Sequence, residues 1–315
     1  MQISIATVNV NGIRAAFNKG FGDWLAERNP DILLLQETRA EADIIQSYFD
    51  DTWHLSSLPS VEKGRAGVAI ASKFPIIETR AGLTGYGPEG EPTRDSGRWI
   101  EADIETDSGP VTVVSTYFHS ATNTPEKAHT MTAKYAHLDK IDARLNELVH
   151  LPRPVIVGGD FNIAHHNRDL ANWKGNKDSA GFLPQEREYL TRWFSPQKFA
   201  SQISGDPEKF GTPTQDAAPD DSWRLSLSKS EGNPVETPVP SWTDLGRHHA
   251  GDVEGPYTWW SWRGQAFTND RGWRIDYQAG NPAATKALRH VIVDRQPSYD
   301  QRYSDHAPVI AHFEF

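Results

Sequence analysis

Residues 2–10 (QISIATVNV) alternate apolar and polar side chains, a pattern that predicts a strand ending at Asn9-Val10-Asn11-Gly12. Gly20 to Arg28 reads as a helical segment stopped by Asn29-Pro30. Asp31 to Leu35 is a short, nearly all-apolar run, as expected for a strand buried on both faces, and it delivers Gln36-Glu37-Thr38. Further strands are predicted at 66–72, 98–105 and 111–118, with Asp107-Ser108-Gly109-Pro110 turning the last two into a hairpin. Segment 125–149 opens on Pro125-Glu126 and places Ala128, Met131, Tyr135, Leu138, Ile141, Leu145 and Leu148 on one helical face. Val155 to Gly158 is another buried strand, ending in Gly159-Asp160-Phe161-Asn162, and 184–194 is a short amphipathic helix. Strands resume at 257–262, 273–278, 289–293 and 308–315. Between them, 198–241 is rich in Pro, Gly, Ser and Asp, carries 4 Lys+Arg against 7 Asp+Glu, and has no sustained period. It reads as a surface insertion, with too few large apolar residues to form a core. Interleaved strands and helices with antiparallel hairpins predict a mixed-sheet α/β sandwich forming one domain over 1–315.

Composition narrows the chemistry. The formal charge is −10, but 245–315 holds 8 Lys+Arg and 8 Asp+Glu, so the whole excess lies in residues 1–244. Such a chain does not coat nucleic acid by bulk charge, although a local basic face is compatible with it. There are no cysteines, which excludes disulfides, thiolate-bound zinc, iron–sulfur clusters and a thiol nucleophile. No apolar run is long enough for a membrane helix, and Met1-Gln2-Ile3-Ser4-Ile5 lacks a signal-peptide pattern, so a cytoplasmic protein with no membrane partner is expected.

Three predicted strand ends present carboxylates or carboxamides: Asn9 and Asn11, Glu37, and Asp160 and Asn162. Residues two apart project to one face if the strand continues that far. Taken singly, polar residues at strand ends are turn formers; their recurrence in similar settings argues for more. Near the C-terminus come Arg274-Ile275-Asp276-Tyr277 and Ser304-Asp305-His306-Ala307-Pro308. A histidine directly after an aspartate is poorly placed to use that neighbour's carboxylate, which leaves Asp276 as the candidate that orients His306. Hard oxygen ligands suit Mg²⁺ or Mn²⁺ better than zinc, and with an acid-oriented histidine and amide donors they form a kit for phosphodiester hydrolysis.

The ordered motifs Asn-Val-Asn-Gly-Ile-Arg (9–14), Leu-Gln-Glu-Thr (35–38), Gly-Asp-Phe-Asn-Ile (159–163), Trp-Arg-Ile-Asp-Tyr (273–277) and Ser-Asp-His-Ala-Pro-Val (304–309) resemble the exonuclease III family of DNA-repair nucleases, within the endonuclease/exonuclease/phosphatase superfamily. Phe182-Leu183-Pro184-Gln185-Glu186-Arg187-Glu188 resembles a further family segment. The resemblance implies a four-layer α/β sandwich with two mixed central β-sheets flanked by helices. It also implies a Mg²⁺-dependent enzyme, with Mn²⁺ able to substitute, that removes nucleotides from 3′ ends of duplex DNA and incises 5′ to abasic sites. By the same resemblance Glu37 is the main metal carboxylate, with Asn9 close by and Asp305 a second metal or supporting acid. Asp160 orients or deprotonates water, Asn162 donates to the phosphate, His306 held by Asp276 stabilises the developing charge, and Tyr117 lies beside the scissile phosphate. Asn11 is a further substrate contact, and Trp259, Trp260, Trp273 and Ile275 surround the pocket for an extruded sugar. A monomer acting on double-stranded DNA is expected.

Two features depart from the family. After Tyr117-Phe118 it usually continues Pro, Asn or Gln, Gly, where this chain has His119-Ser120-Ala121, and the 198–241 insertion is additional. Arg247, His248, His249, Arg263, Arg271 and Arg274 accompany the tryptophan-rich segments and are candidate phosphate contacts. The competing enzymatic reading is a superfamily phosphodiesterase acting on RNA, an inositol phosphate or a phospholipid head group. The non-enzymatic one is a nucleic-acid-binding protein with a dead site, which retention of the polar set disfavours.

Overall fold

The computed structural model describes residues 1–83, 97–194 and 241–315, so the predicted insertion lies outside the described residues up to position 240. The strands are β1 (Gln2–Asn9), β2 (Ile32–Gln36), β3 (His54–Leu58), β4 (Val68–Ser72), β5 (Ile76–Ala81), β6 (Trp99–Ile104), β7 (Val111–Tyr117), β8 (Val155–Asp160), β9 (Thr243–Asp244), β10 (Asp276–Gly280), β11 (Leu288–Val293) and β12 (Val309–Glu314). They form two six-stranded mixed sheets, ordered β11-β12-β1-β2-β4-β3 and β5-β6-β7-β8-β10-β9.

Side-chain parity explains the layering. Along β1 and β2, Ile3, Ile5, Ile32 and Leu34 turn towards Ile100, Ile104, Val113 and Ile156 of the second sheet, making the inter-sheet core. The intervening Ala6, Val8, Leu33 and Leu35 turn outward and pack with Phe21 and Trp24 of helix Phe21–Arg28 and with Ile45. On the far face of the second sheet, Val114, Val155 and Val157 pack against Leu138, Ile141 and Leu145 of helix Ala128–Leu148 and Leu190 of helix Pro184–Phe194. The result is the expected four-layer order of helices, sheet, sheet, helices. Burial on both faces is why β2 and β4 read as continuous apolar runs. At Gly158 a side chain would come within 2.6 Å of Leu34 and 3.3 Å of Thr7, so glycine there lets the sheets approach closely.

The same parity carries polar residues to one end of the inter-sheet space. Asn9 continues the inward row of Ile3 and Ile5, Asp160 that of Ile156 and Gly158, and Asp276 that of Gln278, whose amide donates to the Ile5 and Val309 carbonyls at 2.8 Å. Among the described residues no helix is long and apolar enough to cross a membrane.

Two expectations need correction. Segment 257–262 is not a strand: Trp259 makes isolated bridges to Trp273 and His306, and the chain otherwise runs as a loop. Arg274 and Arg247 are not free for phosphate either. Arg274 is 2% exposed and its guanidinium donates to Asp169 (2.8 and 3.1 Å) and Asp244 (3.1 and 2.7 Å), while Arg247 donates to Asp169 and the Gly255 carbonyl. Burial alone would raise the Asp169 pKa, but Arg274 and Arg247 hold it far below the ordinary carboxylate range. Because the folded value is depressed, this stabilisation is present above the unfolded pKa of about 3.9 and is lost as pH falls below it. Asp169→Asn should therefore cost about 3–5 kcal/mol by leaving buried guanidinium charge uncompensated. Denaturant titration should find that deficit constant at neutral pH and shrinking below about pH 4; a loss under about 1 kcal/mol at pH 7 would contradict this reading, since that is the worth of an exposed pair.

Candidate active site

Three strand ends in the second sheet bring chemistry into register. Tyr117 of β7 is paired with Asp160 of β8 in the parallel ladder, and Asp160 is paired with Asp276 of β10 in the antiparallel one. Two carboxylates directly opposite one another repel. His306, just before β12, resolves the conflict: its Nδ1 lies 2.8 Å from Asp276 Oδ2, and its Nε2 lies 3.8 Å from Asp160 Oδ2. Asp276 is fixed from behind by its own backbone N–H, which donates to Thr258 Oγ1 at 3.0 Å.

The first sheet supplies the opposing wall. Asn9 is fully buried and donates its amide to Glu37 (3.2 Å) and Asp160 (3.0 Å), while its Oδ1 accepts the Asn11 backbone N–H at 3.0 Å. Asn9, expected beside a metal, thus turns nitrogen rather than oxygen towards the carboxylates and aligns them. The Glu37 carboxylate also accepts from Arg39. Asn11 donates to Asp305 Oδ1 at 2.8 Å, and Trp259 Nε1 donates to Asp305 Oδ2 at 3.1 Å. Asn162 donates to the Phe118 carbonyl (2.9 Å) and to Asp160 Oδ2 (3.1 Å), and its backbone N–H donates to Asp160 Oδ1 (2.8 Å).

Backbone strain marks the same places. The strands stop at Asn9, Gln36 and Asp160, and Asn11, Glu37 and Asn162 just beyond them sit at φ of 48, 50 and 51°. Asparagine tolerates this left-handed region better than glutamate, so Glu37 carries a conformational cost that its surroundings must offset.

The electrostatics divide the groups by role. Burial, reinforced by the Asp276 and Glu37 charges, pushes the Asp160 carboxyl up to about 7 against the lowering influence of His306. Burial disfavours the His306 imidazolium, but the Asp276 and Asp160 carboxylates overcome it and raise its pKa to about 10. Burial opposes ionisation of Asp305, yet His306, Trp259 and Asn11 keep its pKa below the ordinary carboxylate value. Tyr117 is pushed well above its ordinary value, first by burial and then by Glu37 and Asp160, so it stays a neutral donor.

Beside this cluster lies an apolar group in which Ala164, Leu170, Phe182 and Ile275 are buried and Trp173, Trp259 and Trp273 pack against them half-exposed. Trp259 and Trp273 meet edge to face at 6.2 Å. Trp260 does not join them, contrary to expectation. It is 2% exposed, packs with Phe267 and Ala307, and donates its indole N–H to Asp270 at 3.0 Å. The resemblance placed it at the pocket, whereas in the fold its ring turns away from Trp259 into a separate small core.

Several contributors escaped the sequence reading. Arg98 stacks on the Tyr117 ring at 4.6 Å, Ser304 Oγ donates to the Asn9 carbonyl at 2.7 Å, and Thr258 and Arg39 act as described above. Of these, Ser304 opens the Ser-Asp-His motif and Arg39 stands two positions from Glu37, whereas Arg98 and Thr258 are brought in by tertiary packing.

The chain matches the Endonuclease/Exonuclease/phosphatase family over residues 6–306. It is 30% identical over 304 residues to the exodeoxyribonuclease of Bacillus subtilis, covering 96% of this chain and 95% of that protein. It is 26% identical over 319 residues to the DNA repair nuclease APEX1 of Danio rerio, covering 98% and 81%. In fold it resembles an AP endonuclease from Archaeoglobus fulgidus, with a TM-score of 0.72 at 23% identity over 99% of this chain and all of that one. A 3′ phosphatase, NExo, from Neisseria bound to product DNA hairpin gives a TM-score of 0.70 at 24% identity over the same shares. With these motifs on these strand ends, the chain belongs to the Endonuclease/Exonuclease/phosphatase family, in its exonuclease III branch.

Proposed function

We propose that this chain is a Mg²⁺-dependent DNA-repair phosphodiesterase that trims 3′ ends of duplex DNA and incises the backbone 5′ to abasic sites. The observation that carries this reading is the Asp160–His306–Asp276 row set against Asn9 and Glu37 at one end of the inter-sheet space. The family is one of metal-dependent phosphodiester hydrolases, and the residues fit a hard divalent cation. The cluster gathers the carboxylates of Glu37, Asp160, Asp276 and Asp305 without a thiol, a donor set of hard oxygens. Asp160, Asp276 and His306 each offer a ligand atom within 4.8 Å of the others. However, a histidine bound to Asp276 and protonated at neutral pH is a poor ligand, so we assign the cation to Glu37 and Asp305, with Asn9 and Asn11 orienting them. When bound, it would polarise a phosphoryl oxygen and offset negative charge.

The protein's own groups account for the rest of the reaction. Asp160, titrating near neutrality, takes a proton from water as the water oxygen attacks phosphorus and the bond to the 3′ oxygen breaks. The His306 imidazolium cannot serve as base at pH 7, and it donates instead to a phosphoryl oxygen as charge builds. The Tyr117 hydroxyl supplies a further donor, and the Asn162 amide does so on exchanging its hydrogen bond to the Phe118 carbonyl for one to the phosphate.

Abasic preference would arise at Trp259, Trp273 and Ile275, since a sugar without a base loses little stacking when it leaves the helix and fits a tight apolar pocket. Trp273→Ala should slow abasic incision and lower the ratio of abasic to undamaged-duplex cleavage, with metal dependence unchanged. An unchanged ratio in a stable variant would return Trp273 to a packing role. Assaying RNA, an inositol phosphate and a phospholipid head group alongside abasic duplex tests the substrate class: faster turnover of any of these than of DNA would overturn it.

A further inference from the structure

Lys134 and Glu186 form an ion pair at 2.5 Å with both side chains wholly inaccessible to solvent. Burying two charges is expensive, and an apolar pair of similar volume is often as stable, so its retention calls for another reason. The hydrogen bonds point to one. Lys134 Nζ donates to the Asn162 carbonyl at 3.0 Å, at the residue held at a φ of 51° beside Asp160. Glu186, in the first turn of its helix, accepts the backbone N–H of Gly181 at 2.7 Å and of Leu183 at 3.0 Å. Its reach back to Leu183 is the acidic half of a capping box. Gly181 sits at a φ of 87°, where a side chain would come within 2.9 Å of the Asn162 carbonyl and 3.4 Å of the Trp273 ring. The pair therefore ties helix Ala128–Leu148 to the Asn162 turn on one side and to the Gly181-Phe182-Leu183 turn beneath Trp273 on the other.

We propose that Lys134 and Glu186 are positioning residues, which hold the Asn162 amide against Asp160 and fix its distance from the apolar pocket. This rests on the reading of Asp160 and Asn162 as catalytic. A displacement of about 1 Å in such a group can cost on the order of 10² in rate. Lys134→Met should lower kcat for abasic incision by about 10- to 100-fold with KM within about threefold, because it removes the donor to the Asn162 carbonyl without touching DNA. The double variant Lys134→Met/Glu186→Gln removes the unpaired charge while keeping an acceptor for Gly181 and Leu183. It should regain the melting temperature lost in Lys134→Met but keep the low kcat.

Recovery of kcat together with stability in the double variant would reduce the pair to a structural ion pair and overturn the proposal. Where either Met variant fails to fold, Lys134→Arg keeps the charge but replaces the compact ammonium with a planar fork; full kcat in that protein would also overturn it. The wild-type protein runs in the same assay: absent metal-dependent cleavage there would sink the proposed function, whereas variants equal to an active wild type would sink only this inference.

Discussion

Asp160→Asn protein should fold normally and lose on the order of 10²–10³ in kcat, about 3–4 kcal/mol of transition-state stabilisation. The substitution keeps size and removes a charge that burial already disfavours, at the cost of the acceptor that Asp160 Oδ1 offers the Asn162 backbone N–H, so the net change in stability should be small. What disappears is the group able to take a proton from water near neutral pH. Asn9 and Asn162 both donate to Asp160 Oδ2, and an asparagine oxygen there can still receive them. The fold should then remain intact while the reaction fails. Circular dichroism and thermal melting establish the first point, and single-turnover cleavage of an abasic duplex measures the second. Turnover within about threefold of wild type, far short of the loss expected for a removed stabilising group, would take Asp160 out of the chemistry.

His306→Asn should lose a comparable factor by removing the cationic donor, and its pH profile carries a further signature. In the wild type the His306 folded pKa, about 10, lies above its unfolded value near 6.5. The stabilisation it provides is complete below the unfolded value and is lost as pH rises through the folded one. Activity that depends on the protonated ring should fall along the same alkaline limb. Asp276→Asn removes the foremost of the carboxylates that raise this pKa, so its limb should move to lower pH, whereas His306→Asn should lack that limb altogether. Profiles of kcat against pH for the three proteins separate these outcomes. An unmoved limb in Asp276→Asn would mean that another group titrates there.

The sequence made some of this legible for reasons that can be named. Gln2–Asn9 and Ile32–Gln36 could be read as strands because their parity is enforced by cores on both faces. Helix Ala128–Leu148 could be read because one face packs on a sheet over its whole length. The strands His54–Leu58 and Ile76–Ala81 escaped because they are sheet edges with half-exposed or exposed side chains and little periodic signal. Asn9, Glu37, Asp160, Asp276 and His306 were found through motifs, but their convergence depends on the register that sets Tyr117, Asp160 and Asp276 in one row. No spacing rule predicts that Trp259 reaches Asp305 while Trp260 turns into a separate core, since backbone bridges to Trp273 and His306 decide it. The basic residues misled for a related reason: composition counts Arg274 as a cation, whereas Asp169 and Asp244 neutralise it in the fold.

The most direct test of the central claim is a duplex oligonucleotide with one central abasic site, incubated with this protein in excess chelator and then with Mg²⁺ or Mn²⁺. The account predicts no cleavage in chelator. With metal it predicts a new 3′ end immediately 5′ of the abasic site, followed by a ladder of shorter products from 3′ trimming. Full cleavage in chelator, or intact duplex under every metal condition, would contradict it.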